Sequence, residues 1–236
     1  MDPFDVNLLS GFELANCTLV GFGNPARLGG AIRAENLASF RLTNVVFRNN
    51  FASRGGGVYL ANVKVATFTN TRFFTNSAAT SGGGAFVVNS TTVRVQGCSF
   101  DSNAASVVGA GLVVDHAMSV AVVGCVFSNN KATGFAGGLS LNDVYGAGHY
   151  SRVVNSTFSG NRAYYGSMVA LGRVSRISFD GNVFSRNTAV RGCGVFWLRA
   201  TGMESPRNLL NNIVSNDDAT LFGLGAQDRN TCFEIW

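Results

Sequence analysis

Apolar residues along this chain come in short runs rather than in helical stripes. In one representative stretch, Val58-Tyr59-Leu60, then Val65 to Phe68, then the segment around Phe73-Phe74 are rich in Val, Phe and Thr, and each is bounded by Gly, Asn or Ser. That pattern predicts short strands separated by turns. No segment carries an i, i+3, i+4 apolar stripe of useful length, and Ala-Leu-Glu-Lys-rich stretches are missing, so helical repeats are excluded.

The runs recur with a fixed period. A pair of small residues followed by apolar ones stands at Gly29-Gly30-Ala31-Ile32, Gly56-Gly57-Val58-Tyr59, Gly83-Gly84-Ala85-Phe86, Ala110-Gly111-Leu112-Val113 and Gly137-Gly138-Leu139-Ser140, with looser copies at Ser167-Met168-Val169-Ala170 and Cys193-Gly194-Val195-Phe196. The first four intervals are 27 residues, the next two 30 and 26. A second motif, Phe-x-x-Asn, keeps phase with the first: Phe47/Asn50, Phe73/Asn76, Phe100/Asn103, Phe127/Asn130, Phe158/Asn161, Phe184/Asn187, then Ile213/Asn216. Self-similarity of this kind is the signature of a solenoid.

A unit of 27 residues with three strands and three turns matches one coil of a three-sided parallel β-helix. The expected fold is therefore all-β: a right-handed, single-stranded parallel β-helix of about seven to eight coils, each strand pairing with its equivalent one coil later. One domain covers 1–236, with 29–216 as regular coils and 1–28 and 217–236 as caps or degenerate coils. The Phe side chains should point inward as an axial stack, and the Asn amides should satisfy turn backbone from coil to coil. The Gly pair should supply the permissive backbone of the turn before the next strand. Cys98 and Cys125 fall in one inward column with Thr71, Ser156 and Asn182, and read as buried thiols.

Composition fits this reading. Only 13% of residues are charged, while Gly contributes 29 and Phe 19. The net charge of +5 is spread without a basic block, which argues against nucleic acid as a partner. Five cysteines without CxxC spacing indicate neither a zinc site nor a dense disulfide framework, and no cofactor or metal is expected. The chain as given shows no signal-peptide pattern and no apolar run long enough for a helical membrane span.

Gly-Gly-Ala-Ile (29 to 32), Phe-Arg-Asn-Asn (47 to 50), Cys-Ser-Phe-Asp-Ser-Asn (98 to 103) and Cys-Val-Phe-Ser-Asn-Asn (125 to 130) together resemble the repeat of chlamydial polymorphic outer membrane proteins and related right-handed β-helix proteins of bacteria and algae. The resemblance spans roughly Gly29 to Asn216. It implies a surface-displayed, adhesive β-helix located outside the cell. The family's autotransporter barrel has no counterpart of sufficient length after Asn216 in this chain. Expected from the resemblance is a non-catalytic module that binds a protein or glycan. The alternative is a pectate-lyase-like carbohydrate-active enzyme, because parallel β-helices also serve as polysaccharide lyases and hydrolases.

Chemistry in a solenoid requires residues that share a slot in successive coils. The best polar column is Glu35, Asn62, Asn89, His116 and Asp143, with Asp115 and Asn142 one slot earlier. It reads as an exposed polar edge just beyond a strand, and Asp115, His116 and Asp143 are its candidate ligand or metal-binding members. A recognition patch is expected on the longest coil, at Tyr145, His149, Tyr150 and Arg152, with Tyr164 and Tyr165 in the same coil. Asp217-Asp218 reads as a turn, and the sequons at Asn16, Asn89 and Asn155 as surface positions. A glycosidase needs converging carboxylates, and no cleft with two of them within about 10 Å is expected.

Overall fold

The computed structural model describes residues 3–7, 10–146, 150–166, 168–174, 176–190, 196–199, 208–215, 222–224 and 231–232. It is a right-handed parallel β-helix of about seven turns. Among the described residues every strand pair is parallel and links equivalent residues one coil apart, except the antiparallel contact of Phe222–Leu224 with Thr231–Cys232. No helix among the described residues is long and apolar enough to cross a membrane.

Each coil carries four strand segments, its sides, which join into three hydrogen-bonded sheets because the first two run on into one another in Ala85–Gln96 and Leu112–Val123. The first side runs through Ile32–Glu35, Val58–Ala61, the start of Ala85–Gln96 and of Leu112–Val123, Leu139–Val144 and Val169–Val174. The second runs through Ser39–Thr43, Val65–Thr69, the ends of those two long strands, Ser151–Val154 and Ile177–Asp180. The third holds Val46–Arg48, Arg72–Phe74, Ser99–Asp101, Val126–Ser128, Thr157–Ser159 and Val183–Ser185. The fourth, which the apolar pattern does not reveal, holds Phe51–Arg54, Ser77–Ser81 and shorter segments beginning at Ala104, Lys131, Arg162 and Thr188. Its inward residue is alanine in five successive coils (Ala52, Ala78, Ala105, Ala132, Ala163), too small to register as an apolar run.

The corners explain the abundance of Asn and Gly. At nearly every one a single residue takes a left-handed backbone: Asn36, Asn62 and Asn89 leave the first side, Asn44, Asn70 and Gly97 the second, Asn49, Thr75 and Ser102 the third, Gly29, Gly55 and Gly82 the fourth. Asn and Gly tolerate this region at least cost. The turn residue is thus the one before the small-residue pair in the second and later coils: Gly55, Gly82 and Gly109, then Ala136. The pair itself serves close approach: a Cβ on Gly57 would lie 2.7 Å from the Gly84 carbonyl oxygen and 3.1 Å from the Phe73 ring.

The core is an axial stack. Rings of Phe47, Phe73, Phe100, Phe127, Phe158 and Phe184 follow one another at 4.9, 4.7, 4.8, 4.8 and 5.3 Å, all at 1% exposure or less. Beside them runs a buried amide ladder of Asn50, Asn76, Asn103, Asn130, Asn161 and Asn187. Asn130 is typical. Its Oδ1 accepts from the backbone N–H and the Nδ2 of Asn103, while its own Nδ2 donates to the Phe100 carbonyl and to Asn161 Oδ1. Every polar valence of the buried amide is thereby used. By backbone register Phe184 pairs with Val214, not Ile213, and Asn216 lies outside the described residues. Cys98 and Cys125 are both 1% exposed and reduced. The hydrogen bond with Cys125 together with burial pushes the Cys98 thiol well up.

Residues 4 to 28 form a coil of their own, with strands Phe4–Val6, Gly11–Ala15, Thr18–Val20 and Gly23–Leu28. The inner Asn position is Phe22 here; its N–H donates to Asn50 Oδ1, and its ring meets Phe4 at 5.6 Å.

Candidate functional site

The corner between the first and second sides carries the column in question, and its register starts at Asn36 rather than Glu35. Glu35 pairs with Ala61, while Asn62 donates to Asn36 and Asn89 to Asn62 through their amides. The first interval of the repeat is 26 residues along this edge, as it is between Phe47 and Phe73, because Ile32 stands beside Val58. Glu35 instead accepts from Arg33, whose Nε and Nη2 both donate to Oε1.

After Asn89 the ladder changes from amides to charges. His116, Asp143 and Arg173 occupy the next three corners, each with a left-handed backbone that Asn would adopt more cheaply. His116 Nδ1 lies 2.9 Å from Asp115 Oδ1, and Nε2 lies 3.6 Å from Asp143 Oδ2. Asn142 Nδ2 donates to both aspartates, at 2.7 Å and 3.0 Å. Arg173 closes the column, donating from Nη2 to Asp143 Oδ2 at 2.7 Å, with Nε 2.5 Å from Oδ1 in an ion pair that is not aligned as a hydrogen bond.

Two expectations are corrected here. This edge is not a solvated turn throughout: Asp143 is 3% exposed and Asp115 is half-buried inside the continuous strand Leu112–Val123, because Asn142 and Arg173 cover them. And two carboxylates do converge, the ligand atoms of Asp115, His116 and Asp143 all lying within 4.8 Å of one another. The strict coil register brings them together. Arg173 nevertheless spans both Asp143 oxygens, Asn142 bridges the two acids, and both imidazole nitrogens face carboxylates. The acidic charge is offset by this chain's own cation, and the lone pairs a metal would take are occupied in part by these donors.

Beside this edge, on the outer surface of the first side, a groove opens along the axis. The outward residue of that side is Tyr59, Phe86, Val113, Ser140 and Ala170 in successive coils. Where it is large it packs: Tyr59 and Phe86 stack at 5.6 Å and form a second small core with Val113. Where it shrinks, the space is left open, and a hollow of about 610 Å³ results. Phe86, Val113, Ser140 and Ala170 line its floor, and Asp115, Asn142 and Gly172 one wall. The opposite wall is the corner column Arg54, Ser81, Val108 and Phe135. Phe135 is stacked on Tyr165 at 5.3 Å, and Tyr164 meets Tyr165 edge-on at 4.7 Å. Arg54 lies over the Phe86 ring at 5.6 Å.

The expected recognition patch is divided by this arrangement. Relative to the coil before it, the longest coil gains four residues between Val144 and Ser151, as the pairings Ala117 with Val144 and Ala121 with Arg152 require. Tyr145 is 58% exposed and lines a smaller hollow of about 300 Å³ with His116 and Asp143. Tyr150 is 71% exposed under the Arg176 guanidinium, Arg152 is exposed on the second side, and His149 lies outside the described residues. Tyr165 follows Phe135 in the corner column, with Tyr164 against it, across the first side from Tyr145. Asp217 and Asp218 also lie outside the described residues. Asn16, Asn89 and Asn155 of the sequons are exposed left-handed corners.

The floor residues and Phe135 carry no motif and were not singled out by sequence. Their signal is a column of side chains shrinking from Phe to Ala, which is visible only once the coil register is known. Residues 7–163 match the family model described as a right handed beta helix region. No curated protein and no solved structure matches the chain.

Proposed function

We infer the function of this chain from one premise: it belongs to the right-handed β-helix family. The reading is a non-catalytic binding module that holds a glycan chain in the groove on its first side, at a cell surface or outside the cell. The resemblance to the polymorphic outer-membrane repeat supports that setting. The observation that carries the reading is the stepped floor Phe86, Val113, Ser140, Ala170 between the Arg54, Ser81, Val108, Phe135 wall and an Asp115–Asn142 wall. A sugar chain has apolar C–H faces and hydroxyl edges, and a hollow elongated over four coils, with Phe86 and Val113 in its floor, Phe135 in one wall and Asp115 and Asn142 in the other, suits both.

A second reading, a carbohydrate-active enzyme, draws support from the meeting of Asp115, His116 and Asp143 beside Arg173. It is the weaker one because Asp143 and His116 are engaged by their neighbours, whereas a general acid or base must offer an atom to substrate.

Ser140→Phe tests the binding reading. It should extend the Phe86 floor into the groove and weaken binding of whichever oligosaccharide is captured from a glycan panel by about tenfold or more, with the thermal midpoint little changed. Undiminished binding by the filled variant would remove the groove as the site.

A further inference from the structure

We propose that the outer face of the second side is a separate binding track for a linear anionic polysaccharide, with Arg41, Arg94 and Arg152 as its charged contacts. The central outward column of that side reads Arg41, Thr67, Arg94, Ala121, Arg152 and Ser178, each the register partner of the one before. All three arginines are exposed, and among the described residues none of them forms an ion pair. The flanking outward residues Thr43, Thr69 and Gln96 are uncharged, and carboxylates enter at the two ends, Glu13 beside Arg41 and Asp180 in the coil after Arg152. Glu13, the partner of Arg41 in the first coil, ends the track with the opposite charge.

Spacing narrows the ligand class. Coils are stacked one strand spacing apart, as the core rings at 4.7 to 4.9 Å mark. Arginines in every second coil are therefore set about 10 Å apart along the axis, two strand spacings. The small Thr67 and Ala121 between them leave each guanidinium room to present its fork outward, and direct like-charge opposition is avoided. An extended polysaccharide advances by roughly one strand spacing per sugar. A chain with one carboxylate or sulfate per disaccharide thus places an anion beside each arginine, where a bidentate, charge-assisted contact forms. A nucleic acid duplex carries its charges far more densely than this track carries cations. The track shares no lining residue with the groove on the first side and does not depend on it.

The test is calorimetric titration of the intact chain with oligosaccharides of hyaluronan, which has one carboxylate per disaccharide. A neutral glucan of equal length and single-stranded DNA serve as comparisons. The wild type should bind hyaluronan and not the glucan, with affinity falling as salt is raised. R41S/R94S/R152S should abolish binding, and single variants should weaken it roughly tenfold each. T67R/R94S keeps the number of arginines and changes only their spacing, and it should also bind more weakly than wild type. Ser140→Phe should leave hyaluronan binding unchanged, which separates this site from the groove. Thermal midpoints check that each variant is folded; if the triple variant is not, Arg94→Ser carries the comparison. Absence of hyaluronan binding by the wild type, full binding by the triple or the respaced variant, or tighter binding of the DNA would overturn the proposal.

Discussion

Asparagine does two jobs in this chain, and they differ by one residue. Asn49 and Asn129 are exposed corner residues that accept a left-handed backbone; Asn50 and Asn130 are buried ladder residues that use every donor and acceptor they have. Asn130→Leu leaves the Asn103 N–H and amide and the Phe100 carbonyl without their partner, and overfills the slot. It should cost about 3 kcal/mol or more, since each orphaned buried group costs about 1 to 3 kcal/mol. Urea unfolding checks this, and a change below about 1 kcal/mol would contradict the ladder's energetic role. Asn129→Gly, one residue earlier, should be nearly neutral, within about 0.5 kcal/mol, because glycine accepts the same corner backbone. The Phe-x-x-Asn spacing made the ladder position legible in sequence. The polar column was legible only in part: Glu35 and Asn62 share a 27-residue spacing, but one deleted residue in that coil makes Asn36 the true partner. Nothing local marks such a deletion, and every side chain past it shifts by one slot.

At the scale of the coil, three of the four sides were readable because their inward residues are Val, Leu or Phe. The fourth was not, because alanine fills it, and the reason is spatial. Its strand passes directly beside the Gly pair, where Gly56 would drive a Cβ into the Ser77 backbone and Gly57 into the Gly84 carbonyl and the Phe73 ring. Gly57→Ala should therefore destabilise by about 1 to 3 kcal/mol through overpacking. Gly124 has a left-handed backbone and nothing within 4 Å of a Cβ, so Gly124→Asn, matching the Asn70 corner, should be tolerated within about 0.5 kcal/mol. Thermal melts of the two variants side by side check the distinction. Equal destabilisation would mean that backbone conformation, not space, governs both sites.

Over the whole molecule, the low charge and the wealth of Asn, Gly and Phe follow from stacking. One column is spent on rings, one on amides and the corners on left-handed residues, which leaves function to the outward columns. That is why the groove escaped sequence reading. No residue in its floor is unusual by itself, and the hollow is a difference between neighbouring coils, Phe86 against Ser140 and Ala170. The charged cluster, by contrast, was named from its spacing, and what the spacing could not convey is that Asn142 and Arg173 close over it. The proposed function requires that the groove bind a chain without cutting it. The direct measurement is the length distribution of the captured oligosaccharide, and of polygalacturonate, after prolonged incubation with the protein. The account predicts an unchanged distribution with no new reducing or unsaturated ends, for wild type and Asp115→Asn alike. Progressive shortening by the wild type that disappears in Asp115→Asn would contradict it and assign the site to catalysis.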